Sequence, residues 1–303
     1  PTCVDVFAGA GGLAEGFRQA GWSILAGNDL NAAAGETFRL NFPEAAFFQG
    51  TVSRLNANDI LEACGLARGE LDCLIGGPPC QSFSYNNHQR NAHDDRARLF
   101  DQYLKLVSGL LPKTLVMENV PGILTINGGS VLKEIEARLR ELDYDVDVNV
   151  LSAEQYGTPQ VRRRVFIMAT RIGIAKTMLP APTHLAYRRE GQSSEQLDLL
   201  SAGGRKKLKP WVTVGDAIGD LPEIENGGGQ QVAKYGPVKA FSDFQKSVRK
   251  GSKRLFNHAC HNLTCVNLNR MKHVPEGGNW RDIPFDLLTA GMQRAKPTDH
   301  TKR

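Results

Sequence analysis

Leu74-Ile75-Gly76-Gly77-Pro78-Pro79-Cys80-Gln81-Ser82-Phe83-Ser84 is the stretch on which the reading of this 303-residue chain turns. An apolar run, Cys73-Leu74-Ile75, meets two glycines and then two prolines. Glycine and proline stop a strand and impose a stiff, open turn. The residue presented directly after that turn is a cysteine. Cys80 therefore stands past the carboxyl end of a strand, the edge at which open α/β sheets place their ligands. A lone unpaired cysteine is ordinarily a core residue; the Pro-Pro-Cys-Gln context instead presents this one as a nucleophile.

Upstream, Thr2–Phe7 is a β-rich run that ends in Ala8-Gly9-Ala10-Gly11-Gly12, after which Leu13, Phe17 and Ala20 recur at helical spacing. Strand, glycine turn and helix in that order let a ligand approach the backbone and meet the free N–H groups of a helix start. A second strand, Ser23–Gly27, ends at Asn28-Asp29-Leu30-Asn31. An acid there, about 20 residues past the glycines, is placed to hold ribose hydroxyls; an Asp before a helix is also a common N-cap, and the two roles are compatible.

The pattern continues as helix Asn31–Asn41, strand Ala46–Phe48, helix Asn58–Cys64 and strand Leu71–Ile75. The residues from Ser84 to Asp95 are strongly polar and form a loop directly after the nucleophile. Beyond it come helix Leu99–Leu111, strand Thr114–Met117 ending at Glu118-Asn119, helix Val131–Leu142, and strands Tyr144–Leu151 and Val165–Ala169. Short apolar runs alternating with helices predict an α/β fold, a mostly parallel sheet with helices on both faces. Gln160-Val161-Arg162-Arg163-Arg164 puts Arg162 and Arg164 on one face of an extended segment, with Arg163 turned away to meet phosphate or solvent. Past Arg171 the periodicity is lost. The domain boundary is placed near 175, giving a catalytic and cofactor-binding domain over 1–175 and a smaller, irregular region over 176–303.

Composition bounds what the chain does. Hydrophobic residues make up 41% and charged residues 23%, the proportions of a soluble globular protein, and no run approaches the roughly 18 apolar residues of a membrane span. Pro1-Thr2-Cys3-Val4-Asp5 carries no basic start or apolar run of a signal peptide and reads as the first strand already beginning. The six cysteines follow no framework spacing, which predicts reduced thiols in a cytoplasmic protein. Cys260 and Cys265, with His258, His261 and His273, fit no standard zinc pattern, so no metal is expected. Residues 1–150 hold 12 Lys+Arg against 19 Asp+Glu, net −7; the other 25 Lys+Arg, against 13 Asp+Glu, give residues 151–303 net +12. A basic half of that strength predicts a polyanionic partner.

The segments Asp5-Val6-Phe7-Ala8-Gly9-Ala10-Gly11-Gly12-Leu13, Gly77 to Ser84, Asp95-Arg96-Ala97-Arg98-Leu99-Phe100, Met117-Glu118-Asn119-Val120 and Gln160 to Arg164 together resemble the cytosine-5 DNA methyltransferase family, in the family's order and over residues 2–170. The resemblance implies a Rossmann-like S-adenosylmethionine methyltransferase domain and a target-recognition region. It implies methyl transfer to carbon 5 of a flipped cytosine in duplex DNA, in a restriction–modification or phage setting. Cys80 would attack ring carbon 6 and so activate carbon 5. Glu118 would hydrogen-bond the ring nitrogen and exocyclic amine, and Arg162 and Arg164 would orient the base and lower the thiol pKa. Phe7, Ala8, Gly9, Ala10, Gly11, Gly12, Leu13, Asp29, Leu30, Thr51, Val52, Pro79 and Leu99 would line the cofactor pocket, with S-adenosylhomocysteine as product. Ser82, Ser84, Arg90, Arg96, Asn119 and Arg163 would meet DNA, the polar loop closing over the flipped nucleotide.

The chain departs from the family pattern at three places. Asp29-Leu30 replace a Glu-aromatic pair, Thr51 stands where an Asp is usual, and the family's two terminal motifs do not follow the segment around Gly277-Gly278-Asn279-Trp280. That last departure implies a fragment, or a subunit completed by a second polypeptide. The alternatives are a non-catalytic or split-enzyme subunit, or a methyltransferase acting on RNA cytosine.

Overall fold

The computed structural model describes residues 1–79, 99–186, 208–275 and 278–294, and the chain divides into two compact units, Pro1–Val212 and Thr213–Arg303. In chain order the first unit contains β1 (Thr2–Val6), α1 (Gly12–Gln19), β2 (Ser23–Asp29), α2 (Ala32–Asn41), β3 (Ala46–Gln49), α3 (Ala57–Cys64), β4 (Cys73–Gly76), α4 (Leu99–Leu110), β5 (Thr114–Asn119), α5 (Ser130–Arg140), β6 (Asp145–Ser152) and β7 (Arg163–Thr170). Seven strands form one sheet in the order β3-β2-β1-β4-β5-β7-β6. The pairs from β3 to β5 are parallel, as the alternation of strands and helices predicts, and this mixed α/β sheet is the expected fold class.

Both faces of the sheet are covered, which is why its central strands read as continuous apolar runs. Val4, Val6 and Leu74 join one cluster with α4 and α5, whereas Cys3, Cys73 and Ile75 join another with Phe38 and Phe42. On α4 the buried Tyr103, Leu106, Val107 and Leu110 repeat at helical spacing, and on α5 Val131, Ile135 and Leu139 do the same. Each such side chain contributes about 1.5–3 kcal/mol by leaving water.

One feature of orientation was not legible in the sequence pattern. β7 runs antiparallel between β5 and β6. Parallel neighbours need a crossover of a dozen or more residues, usually helical. The ten residues between Ser152 and Arg163 hold only a 3₁₀ turn at Ala153–Tyr156, so the chain returns as a hairpin. β5 also continues to Asn119 instead of stopping at Met117, and β7 begins at Arg163.

The second unit contains α6 (Val214–Ile218), β8 (Gly229–Ala233), α7 (Asp243–Val248), β9 (Leu255–Ala259), α8 (Cys265–Met271) and α9 (Ala290–Gln293). β8 and β9 pair as an antiparallel ribbon with Val232 opposite Phe256. Capping boxes at Thr213/Asp216 and Ser242/Gln245 start α6 and α7, and these local signals specify short helices that apolar periodicity does not show. Asp220, fully buried, pairs with Arg249 at 2.5 Å, and that guanidinium lies 4.2 Å over the Tyr235 ring. The described residues between 176 and 212, expected to belong with the second region, pack with the first unit.

Candidate active site

The strand order reverses at β1, whose neighbours are β2 and β4. Such a switch point opens a crevice at the carboxyl ends of the strands. Phe7, Asp29, Gly77 and Glu118 all stand at that edge, at the ends of β1, β2, β4 and β5. Because β7 is antiparallel, its first residues, Arg163 and Arg164, arrive at the same edge, where Asn119 pairs with Val165.

The glycine turn is built as the sequence requires. Phe7 (φ 59°), Gly9 (φ 56°) and Gly11 (φ 90°) take left-handed conformations, which glycine adopts freely and phenylalanine only under strain. Ala8 N–H donates to Asn28 O at 2.9 Å and Gly11 N–H to Ala8 O at 2.9 Å. Asp29 locks the turn: its Oδ2 accepts from Gly9 N–H at 2.7 Å and its Oδ1 from Asn31 N–H at 2.8 Å. The N-cap of α2 is Asn31, whose Oδ1 accepts from Ala34 N–H, so Asp29 does not cap that helix. Leu30 is 72% exposed, an apolar shelf beside a carboxylate. Added Cβ atoms at Gly9 or Gly12 would meet nothing within 4 Å, so the turn faces open space.

The remaining expected cofactor residues are placed unevenly. Ala8 and Gly11 are buried, Ala10, Gly12 and Pro79 are exposed, and Leu13 and Leu99 are half-buried. Thr51 Oγ1 accepts from Ser53 N–H and so caps the short turn that follows it. Val52 is buried in the core cluster.

Two side chains at this edge were missed by the sequence reading. Asn28, buried, donates to Phe48 O at 2.7 Å and Gly50 O at 3.0 Å, tying β2 to the segment after β3. Asp5 is 1% exposed, and its Oδ2 accepts from Ala14 N–H at 3.2 Å in the first turn of α1. Burial pushes the Asp5 carboxyl up to about 8, helped by the nearby Asp29 charge and opposed by the Ala14 bond. The available signal was an acid inside an otherwise apolar strand, Val4-Asp5-Val6.

The unfolded chain ionises Asp5 near its ordinary 3.8, while the native chain keeps the proton to about pH 8. The stability tied to Asp5 is thus fully present below pH 3.8 and is lost as pH rises to about 8, at up to about 1.4 kcal/mol per pH unit. Asp5→Asn keeps an acceptor for Ala14 N–H without titrating. Urea midpoints measured across this range are expected to fall more steeply in the wild type than in the variant.

Glu118 and Arg164 form the charged centre. Arg164 Nε lies 2.7 Å from Glu118 Oε1, with side chains 21% and 30% exposed. Glu118 sits opposite Phe166 in the ladder, and Arg164 shares that face two residues earlier, within diagonal reach across the strands. A Cβ added at Gly77 would come 3.2 Å from Glu118 Oε2, so the carboxylate lies over the turn that leads to Cys80. Arg162 and Arg163 are exposed. Cys80, Ser82, Ser84, Arg90 and Arg96 fall within 80–98, outside the described residues.

Asn119 is only 5% exposed. Its Nδ2 donates to Pro78 O at 3.0 Å and its Oδ1 accepts from Val120 N–H at 2.9 Å. The amide clips the Pro-Pro turn to the end of β5. Asn119→Ala is expected to cost about 1–3 kcal/mol, because the buried Pro78 carbonyl is left unpaired, and chemical denaturation would register the loss.

Among the described residues no group of three His, Cys, Asp or Glu side chains could hold a metal ion, and no helix is long and apolar enough to cross a membrane.

A family model of C-5 cytosine-specific DNA methylases matches residues 2–265. The Type II methyltransferase M.AgeI of Thalassovita gelatinovora is 35% identical over 291 residues, covering 95% of this chain and 67% of the relative. The Type II methyltransferase M.AquIA of Picosynechococcus sp. is 38% identical over 230 residues, covering 72% of this chain and 88% of the relative. An E. coli prophage-encoded protein of known crystal structure, described as a DNA modification methyltransferase, superposes with a TM-score of 0.60 at 27% identity, over 81% of this chain and 63% of that one. The matched span holds the glycine turn, the Pro-Pro turn, Glu118 and Arg164 alike, and the chain belongs to the C-5 cytosine-specific DNA methylase family.

Proposed function

We propose that this chain methylates carbon 5 of a cytosine flipped out of duplex DNA, in type II modification, through a covalent adduct to Cys80. The observation that carries the reading is the Arg164–Glu118 pair at 2.7 Å, poised over the turn that delivers Cys80. The cofactor site fits S-adenosylmethionine: an open glycine turn, the Asp29 carboxylate and the exposed Leu30 suit ribose and adenine. Bound there, that group supplies an electrophilic methyl. Phe7–Leu13, Asp29 and Leu30 would hold it, with Pro79 and Leu99 beside them.

The chain's own residues supply the rest of the chemistry. Cys80 Sγ bonds to ring carbon 6, and the displaced electron pair makes carbon 5 nucleophilic. Glu118 hydrogen-bonds the exocyclic amine and, through a proton shared with the ring nitrogen, favours protonation of that nitrogen as the electron pair flows in. Arg164 keeps the Glu118 carboxylate oriented, and Arg162 holds the base. After methyl transfer a water molecule takes the proton from carbon 5, the electron pair left behind re-forms the double bond to carbon 6, and the Cys80 thiolate departs. Asn119 acts by holding the Pro-Pro turn, not by touching DNA.

The second unit would carry target recognition. Its ribbon, β8–β9, is the kind of element a major groove admits, and Lys234, Lys250, Lys253 and Arg254, beyond the end of β8 and before the start of β9, are exposed and suited to phosphates. Tritium transfer from labelled S-adenosylmethionine to mixed-sequence duplex DNA tests the reading. Label fixed on cytosine is expected. Label on RNA alone, or none with the fold intact by circular dichroism, would overturn it.

A further inference from the structure

The loop 153–162 that joins β6 to β7 delivers the arginines, and it has little structure of its own. Ala153 N–H donates to Arg162 O at 2.9 Å and closes the loop at its neck. A second segment backs it. Gln155 O accepts from both Thr183 N–H and His184 N–H at 2.9 Å, and Tyr156 Oη donates to Pro180 O at 3.1 Å. The His184 ring lies against Gly157, where an added Cβ would come 2.7 Å from ring Cε1, and Gly157 itself has φ +86°. Only glycine leaves that seat.

The strap is itself anchored. Lys209 N–H donates to Thr183 O at 3.0 Å and Leu185 N–H to Lys209 O at 2.8 Å, and Thr183 Oγ1 and His184 Nδ1 are 2.8 Å apart. Burial and then the Lys209 charge hold the His184 ring below the usual imidazole range, so near pH 7 it is a neutral wedge and not another cation beside the arginines.

We infer that His184 is a positioning residue: seated on Gly157 within the strap Pro180–Leu185, it holds loop 153–162 so that Arg162 and Arg164 meet Glu118 and the base. The catalytic part of this inference rests on the function proposed above; the holding of the loop does not. It follows from what the contacts leave free. If the ring is removed, the strap keeps its hydrogen bonds to Gln155 and Tyr156 but loses the wedge seated on Gly157, and the arginine end of β7 gains freedom while the cofactor turn, on β1 and β2, is untouched.

Hydrogen exchange on the full chain tests the loop directly, comparing wild type, His184→Ala and His184→Phe. In His184→Ala the amides of 153–164 are expected to exchange about tenfold faster, those of 2–29 at the wild-type rate, with the ring of His184→Phe restoring most of the protection. Unchanged exchange in 153–164, or equal acceleration in 2–29, would overturn the inference. In the methylation assay His184→Ala is expected to lose roughly ten- to a hundredfold in kcat, with S-adenosylmethionine affinity unchanged by equilibrium dialysis. A wild-type kcat in that variant would overturn the catalytic part. If the wild-type chain methylates no DNA, the proposed function fails, while the exchange experiment still decides whether His184 holds the loop.

Discussion

Cys80→Ser is expected to abolish methyl transfer, by roughly 10⁴–10⁶-fold, the scale on which enzymes lose activity when a covalent nucleophile is removed. A serine hydroxyl at this position would need a general base to reach the reactivity that a thiolate has at neutral pH. The sharper readout is trapping. Duplex DNA carrying 5-fluorocytosine has fluorine where the departing proton would be, so the wild-type adduct cannot resolve and should survive denaturing electrophoresis. Cys80→Ser should show no such band while still binding DNA. A trapped band from the serine variant would sink the assignment of Cys80.

Glu118→Gln is expected to lower kcat by roughly 10²–10⁴-fold, the usual worth of a positioned acid–base group. Glutamine fills the same space, so the cost to stability is about 1 kcal/mol or less for a pair this accessible. Its physical effect is to take the charge from Arg164, which then has no carboxylate 2.7 Å away to orient it. Arg164→Ala should therefore produce a loss of similar size, and the double variant should lose far less than the product of the two, as contacting residues do. Independent, multiplying losses would show that the two side chains act separately. Dialysis with S-adenosylmethionine should give wild-type affinity for all three, since the glycine turn and Asp29 belong to other strands.

Much of the site can be read from local chemistry. Gly9, Gly11 and the Pro-Pro turn are demanded by backbone conformation alone, and Glu118 announces itself as an acid closing an apolar strand. Asp5 shows where this kind of reading thins. Its place in a β-rich run is visible, but whether a carboxylate there is solvated or buried depends on α1 packing over it. Asn119 differs in another way. Its position in the motif is plain, yet an exposed amide and one spent on Pro78 O look the same in sequence.

The second unit was the least legible part, because short helices and a two-stranded ribbon carry too few turns for apolar periodicity to accumulate. Its helix starts lay in capping pairs such as Thr213 and Asp216, which are local and readable.

By itself the sequence determined the alternation of strands and helices, the glycine turn, the Pro-Pro turn and the family resemblance, since these follow from backbone preference, short-range spacing and motif order. Tertiary structure alone decided that β7 returns antiparallel between β5 and β6, so that Arg164 meets Glu118, and that His184 seats on Gly157. Those contacts join residues far apart in the chain, and no local preference encodes which distant strand or loop a segment will be packed against.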